Sequence, residues 1–582
     1  MPQTPASLAA FALFMGYPDA AAFAQVLLRH LGRVQDGYAA LFDVVGDLGT
    51  DVASGLDFSG VDPPQATLAA LRTMGFAAPD AVVAAVRAWK AGRLRALRSR
   101  RAQELMDQLL PGLLDALSRQ GQPDAAFARL DALLARLPAG VQLLSLLQRN
   151  PGLLDRIVAV LGAAPSLADH LARTPAALEG LLAPEGPADH AGVLRARLAD
   201  ARTLEDAVAI IRTAVREEDF SISVATMEGR LDADVAGLAR AGLADAALAA
   251  LLPHVLDDFA ARHGQVRGGG MAVLLLGKAG GREMMAGSDL DLMVIYDHSA
   301  AAQDSAGPAG IRRLPASQWF IRAVHAYVAA ITAADAGGPT YAVDMRLRPS
   351  GNKGPVAVSL AAFERYHAAD GSADAPRPGA WTWERMALTR ARVVAGPPRL
   401  RARINLALRA AQAAGGPPAR IAADAASMRA RLLRDLPAAG PWDVKLRRGG
   451  QIDVEFIAQA LELIHVRDHP DLVSPTTRIA LAHLRDIGVL AKPDAALLIR
   501  ADHVWRTVQG LLRISAGRTP VGELPSAPKA ALLRAAGAAG AFAAGDASPH
   551  LPAPDLAALE AALQDLADQV AAAFTRHIGE MT

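Results

Sequence analysis

The stretch from Met271 to Asp297, MAVLLLGKAGGREMMAGSDLDLMVIYD, constrains the fold more than any other part of the chain. It reads as an apolar strand from Met271 to Gly277, a glycine-rich turn, and a second strand entered through Gly287, Ser288 and two aspartates. Beyond the aspartates, Met293 and Ile295 fall on one face and Leu292, Val294 and Tyr296 on the other, a pattern that suits a strand covered on both sides. The carboxylates then sit at its mouth. In an extended segment residues two apart share a face at about 6.6 Å, so Asp289 and Asp291 point the same way and can together clasp a hard cation. That geometry suits a magnesium-nucleotide site.

An Asp-x-Asp pair alone is a weak signal, and its surroundings sharpen it. Gly287 and Ser288 can bring backbone N–H groups against a phosphate, because no bulky side chain blocks the approach. The run GKAGG lacks the residue order of a P-loop and of a dinucleotide-binding turn, so both readings drop out. A third carboxylate comes from TYAVDMRLRPSG, Thr340 to Gly351, where period-2 alternation puts Asp344, Arg346 and Arg348 on one face. A carboxylate beside guanidinium groups fits metal plus polyphosphate. Taken alone, the same segment reads equally well as an edge strand with a solvated ion-pair face.

Four segments in order, LLLGKAGGREMMAGSDLDLMVIYD, YAVDMRLRPSGNKGPVAVS, AWTWERMALTRARVVAG and GGQIDVEF, run from about Leu274 to Phe456. Together they resemble the glutamine synthetase adenylyltransferase and adenylyl-removing enzymes. Members of that family carry two similar nucleotidyltransferase halves, and this chain shows one. Trp381, Trp383, the segment ALTRARVVAG and the RPSG after the second carboxylate strand look like the C-terminal, adenylylating half; position 279 departs from the pattern, with Ala where Leu is usual. The resemblance implies transfer of AMP from ATP to a tyrosine of glutamine synthetase. It implies Asp289, Asp291 and Asp344 as metal-holding catalytic residues with Mg2+. Gly277, Lys278, Arg282, Gly287, Ser288, Arg346 and Arg348 become the candidate nucleotide-binding set. Glutamine synthetase and a PII-type nitrogen-signalling protein are the implied partners. Two alternatives stand beside this reading: phosphorolytic deadenylylation at a similar site, and a catalytically inactive regulatory module.

The expected fold class is α+β: a mostly helical chain with a nucleotidyltransferase-type mixed sheet between helical domains. The expected divisions are a helical region over 1–105, a helical domain over 106–250, the nucleotidyltransferase domain over 251–400 and a helical bundle over 401–582. Among 582 residues, 60 Lys and Arg balance 59 Asp and Glu, which offers no electrostatic case for nucleic acid. The absence of cysteine excludes disulfides and thiolate metal sites. The N-terminus has no basic leader region and no apolar run approaches a membrane span, so a cytoplasmic protein without membrane contact is expected.

Along the helical first half, Ser7–Met15, Ala20–Leu31 and Gln103–Leu117 show helical spacing of apolar residues. Asn150-Pro151, Ala164-Pro165 and Thr174-Pro175 each read as a helix start. The basic run Lys90–Arg101 reads as a solvated helix face, and Asp232-Ala233-Asp234 as a surface turn of a helix. A helix over Ala316–Ala333 should pack through Phe320, Val324, Val328 and Ile331, with His325 at the core or its boundary. Gly, Pro and Asp make Ala368–Gly379 a loop near the site. Beyond it, Trp381, Trp383, Glu384, Arg390 and Arg392 fit either a nucleotide contact or a packed core with an internal ion pair. The helix near Ile452 should bury Ile452, Phe456, Ala460 and Leu463, leaving Asp453 and Glu455 to pair with arginines of the preceding domain. His465 and His469 show no metal-ligand spacing.

Overall fold

The computed structural model describes the chain except for residues 1–4, 28–29, 31–55, 60–63, 138, 175–176, 178–188, 309, 336, 369–378, 518, 543–554 and 582. It forms two compact units, Met1–Pro175 and Ala176–Thr582. The divisions expected at 105/106 and 250/251 fall inside continuous helices, Arg100–Ser118 and Ala233–His263.

In the first unit short helices follow one another. Arg100–Ser118 buries Leu105, Leu109, Leu113 and Leu117 at four-residue spacing, with Met106, Leu110 and Leu114 filling the same stripe. Its N-terminus is held by Ser99, whose Oγ accepts from the Ala102 N–H at 3.2 Å. Proline opens Pro151–Ala163 and Pro165–Arg173 at the first-turn positions where no N–H is needed. The start expected at Thr174-Pro175 lies outside the described residues. The basic run is a junction rather than a single helix face. It spans the end of Pro79–Lys90, a 3-10 turn over Arg95–Leu97 and the entry to Arg100–Ser118. Lys90 pairs with Asp107 at 2.7 Å and Arg100 with Glu104 at 3.0 Å.

The second unit places a small mixed sheet among helices. Strands β1 (Gly270–Leu275) and β2 (Leu290–Asp297) pair antiparallel, Leu275 opposite Leu292. After the short β3 (Ala334–Asp335) and β4 (Gly338–Pro339) ribbon, β5 (Val343–Asp344) and β6 (Ala357–Ser359) run parallel to β2, while β7 (Arg392–Ala395) closes the far edge against β1. Both faces of β2 are covered. Leu292, Val294 and Tyr296 pack with the Ala233–His263 and Ala316–Thr332 helices. Met293 and Ile295 pack with Phe363, Ile404 and Leu408 from helices that follow β6 and β7. Phe320, Val324 and Ile331 face the sheet as their spacing required, with Val328 packed alongside; His325 is exposed. Among the described residues, Ala233–His263 is long and apolar enough to cross a membrane, and it is mostly buried against its neighbours.

The last part of this unit is a helical bundle around Trp505, built from Gln451–His465, Thr477–Asp486, Lys492–Ser515 and Leu556–His577. Two aspartates depart from expectation, Asp453 by pairing within the helical bundle and Asp234 by leaving the surface. Asp453 is fully buried because Arg429 ion-pairs with it and the Gly449 N–H donates to its Oδ2 at 2.6 Å. Ile452 and Phe456, expected inside, are only half-buried. Asp232 does cap its helix, accepting from the Val235 N–H at 2.8 Å. Asp234, however, turns inward to Arg478, Arg506 and His503; burial pushes its carboxyl up, but His503 and Arg506 hold it far below the usual range.

Candidate active site

The turn between β1 and β2 is shaped by its glycines. Gly277 and Gly287 adopt left-handed backbone angles, φ 52° and 64°. A Cβ on Gly277 would collide with the Asp291 carboxylate, so that carboxylate can lie over the backbone only because the side chain is missing. Arg282 also takes φ 58°, a strained setting for a side-chain-bearing residue, and its own side chain is exposed. Ser288 is buried; its Oγ accepts from the Met285 N–H at 3.0 Å and its N–H donates to the Met285 carbonyl at 3.1 Å, so both groups close the turn.

The carboxylates sit where the strand emerges. Asp289 is exposed and Asp291 half-buried. The β2–β5 pairing sets Asp291 directly beside Asp344. Burial first, and then the charges of Asp289 and Asp344, push the Asp291 carboxyl up to about 6 against the opposing pull of Arg390 and Lys445. Asp344 is held below the usual carboxylate range, chiefly by Arg346, whose Nε lies 2.7 Å from Oδ2 and whose backbone N–H donates to Oδ1 at 2.8 Å. Among the described residues no three His, Asp or Glu side chains converge closely enough to enclose a metal ion. The donors nonetheless fit a divalent cation: they are hard oxygens, and Asp291 carries a repulsion from its two neighbours that a cation would relieve.

The basic residues divide differently from the sequence expectation. The strand carrying Asp344 is two residues long, and the chain then turns. Arg346 stays at the mouth, its side chain 73% exposed. Arg348 does not share that face. It is buried and donates to the carbonyls of Met345 at 2.7 Å, Gly354 at 3.1 Å and Pro355 at 3.1 Å, so each of its three nitrogens holds the loop. Lys278 is at the site and donates to Gln509 Oε1 at 2.9 Å; burial, together with Lys445, Arg513 and Arg390, lowers its ammonium to about 7 against the pull of Glu455.

For the residues after the loop, the packed-core alternative holds at both arginines. Arg390 is buried between Glu283 and Glu455, 3.1 Å from the latter. Glycine at 281 leaves room for it, since a Cβ there would strike the guanidinium. Arg392 reaches Asp245 at 2.7 Å and the Gly280 carbonyl at 2.7 Å. Glu384 accepts from Tyr366 at 2.9 Å and from the Trp381 N–H at 2.8 Å, while the Trp381 side chain is exposed and Trp383 half-buried. Residues 369–378 of the expected loop lie outside the described residues. Glu455 does pair with an arginine of the sheet region, whereas Asp453 pairs within the helical region. Lys445, Gln509 and Arg513 escaped the sequence reading. They lie far from the Gly-Ser turn in the chain and carry no local motif.

The family model described as glutamate-ammonia ligase adenylyltransferase matches residues 154–407, and the one described as GlnD PII-uridylyltransferase matches residues 425–575. Three curated proteins called bifunctional glutamine synthetase adenylyltransferase/adenylyl-removing enzyme align over most of the chain. That of Xanthobacter autotrophicus is 38% identical over 582 residues, 99% of this chain and 56% of the relative. That of Mesorhizobium japonicum is 39% identical over 466 residues, 79% of this chain and 46% of the relative. That of Rhodopseudomonas palustris is 35% identical over 586 residues, 100% of this chain and 56% of the relative. The chain thus spans about half the length of the curated relatives it matches.

Proposed function

Since the chain belongs to the glutamine synthetase adenylyltransferase/adenylyl-removing family, we propose that it transfers AMP from ATP to a tyrosine hydroxyl of glutamine synthetase and releases pyrophosphate. The observation that carries this reading is the carboxylate group at the mouth of β2, where Asp291 lies in register with Asp344 and feels the charges of both Asp344 and Asp289. Asp289, Asp291 and Asp344 would hold Mg2+, which when bound neutralises phosphate charge and lowers the pKa of the attacking hydroxyl. Asp344 is placed to take the tyrosine proton. Lys278, Arg282 and Arg346 supply positive charge toward the polyphosphate, and Gly277 and Gly287 let the backbone approach it. Arg348 leaves this set, because it is buried and all three of its nitrogens bond backbone carbonyls.

The nucleotidyltransferase core is assigned to about 251–400. The helical regions on either side orient glutamine synthetase and bind a PII-type protein; the match of residues 425–575 to the PII-uridylyltransferase model supports the second role. We place the enzyme in the cytoplasm, where glutamine synthetase, the PII-type protein and ATP are found. Incubation with labelled ATP, magnesium and unmodified glutamine synthetase should give label on a tyrosine. Incubation with adenylylated glutamine synthetase and phosphate should give no ADP. Robust phosphorolysis without transfer would reverse the assignment to the deadenylylating reaction, and silence in both arms would make the chain a regulatory module.

A further inference from the structure

Two faces of the nucleotide turn are met by a helix more than two hundred residues away. The Lys492–Ser515 helix presents Gln509 and Arg513, one turn apart on the same face. Gln509 Oε1 receives the Lys278 ammonium at 2.9 Å, at the start of the turn that follows β1. Arg513 Nη1 donates to the Ala286 carbonyl at 3.3 Å, immediately before Gly287 and Ser288. One helix face therefore touches both ends of the segment that delivers Asp289 and Asp291. A third cation, Lys445, stands in the turn before Gln451–His465; its charge acts on both Lys278 and Asp291.

These cations are not absorbed by the surrounding fold. Arg390, Arg392, Arg429 and Arg506 each have a carboxylate partner. Among the described residues Lys445 has no side-chain hydrogen bond or ion pair, and Arg513 has one long bond to a carbonyl and no ion pair. Asp289 is the carboxylate whose charge reaches Arg513. Positive groups left unpaired beside a carboxylate cluster are suited to an anion that arrives with its own cation.

We infer that the C-terminal bundle completes the nucleotide site, with Arg513 and Lys445 contacting the β- and γ-phosphates of a bound nucleoside triphosphate and Gln509 positioning Lys278 among them. The inference rests on the proposed adenylyltransferase reading and deepens it. It makes the bundle the part that distinguishes a triphosphate from a monophosphate, and the part that holds pyrophosphate as it leaves.

The test is calorimetric titration of the full chain with Mg-ATP and, separately, with AMP. Arg513→Ala and Lys445→Ala should each weaken Mg-ATP binding roughly tenfold, the loss expected for one charge-assisted contact, and change AMP binding less than about twofold. Arg513→Lys should recover most of the loss. Gln509→Ala should lower the ATP-to-AMP affinity ratio by a smaller factor with the melting temperature unchanged, which marks it as a positioning residue. Equal weakening of ATP and AMP, or wild-type affinity in both alanine variants, overturns the inference. The two variants lie on separate segments, so misfolding of one leaves the other to decide. If the unmodified chain binds neither nucleotide, the adenylyltransferase reading falls as well; if it binds ATP and the variants bind it equally, only the role of the bundle falls.

Discussion

Between Met1 and Pro175 the described core is apolar almost throughout, and its buried polar side chains are Thr67 and Ser145. Between Ala176 and Thr582 the core encloses Glu283, Arg390, Arg429, Asp453, Glu462 and Arg506, each less than a tenth exposed. Removing a charge from water costs several kcal/mol that pairing only partly returns, so apolar packing is the cheaper way to hold helices together. The second unit accepts that cost in several places, one of them beside the candidate site. Arg390 ties Glu283, beside the nucleotide turn, to Glu455 of the helical bundle, and the Thr477 N–H closes the same carboxylate from a third segment at 2.7 Å. The difference teaches that the first unit is built to be filled, whereas the second is built to hold particular groups in register.

The largest effect should come from the carboxylates at the β2 mouth. Asp291→Asn should lower the rate of AMP transfer at least a hundredfold, since a metal-binding charge is asked for several kcal/mol of barrier reduction. The same change relieves repulsion from Asp289 and Asp344, so thermal stability without metal should hold or rise. Measuring both on one preparation separates chemistry from folding. Transfer at more than about a tenth of the wild-type rate would rule out direct metal binding by this residue.

Next comes a paired test of the two cores. Arg390→Met leaves Glu283 and Glu455 without their shared cation and should cost about 3–5 kcal/mol in denaturant unfolding, with nucleotide affinity falling alongside because the turn loses its anchor. Leu114→Ala, at a fully buried position of the first unit, should cost about 2–5 kcal/mol through the cavity alone and leave nucleotide affinity as it was. If both variants lose affinity in proportion to stability, the contrast between the cores has no functional content.

A smaller, pH-dependent effect should sharpen it. Burial raises the Glu462 carboxyl from an ordinary 4.5 to about 8, against the Ser474 N–H that donates to it at 2.8 Å. The folded chain therefore binds this proton more tightly than the unfolded chain does. Its stabilising contribution is full below about pH 4.5 and is lost as pH rises toward 8. Glu462→Gln cannot ionise, so its melting temperature relative to wild type should rise steadily over that window. A difference independent of pH would mean that Glu462 is ionised in the fold.

What could be read from the sequence was local. The two apolar faces of β2 were legible because alternation on a strand reports both sides at once, and the helix starts at Pro151 and Pro165 because proline acts on its own turn. The carboxylates were legible as a spacing. Asp234 and Asp453 were not legible as buried groups, since their partners Arg506 and Arg429 come from other helices and nothing near either aspartate records them. Arg348 was misplaced for a related reason: alternation predicts a face only while the strand lasts, and here it ends at Asp344. Lys445 and Arg513 belong to the site through tertiary packing, which periodicity cannot report.

The smallest stability effect should be at Arg346. It is the guanidinium nearest Asp344, bonded to it through Nε at 2.7 Å and Nη2 at 2.5 Å, yet its side chain is 73% exposed. An exposed pair is screened by water and contributes about 0–1 kcal/mol, so Arg346→Ala should shift unfolding by less than about 0.5 kcal/mol. Its chemistry should be more visible than its stability. With Asp344 engaged by a bound divalent cation, the exposed Arg346 guanidinium would be available to phosphate, so the variant should raise the KM for ATP a few-fold with the melting curve unchanged. This is the inverse of Arg390, where a buried guanidinium of the same type is held by two carboxylates and its loss is felt first in the fold. A drop of more than about 1 kcal/mol on removing Arg346, with KM unaltered, would make it one more structural arginine and leave the polyphosphate to Lys278, Lys445 and Arg513.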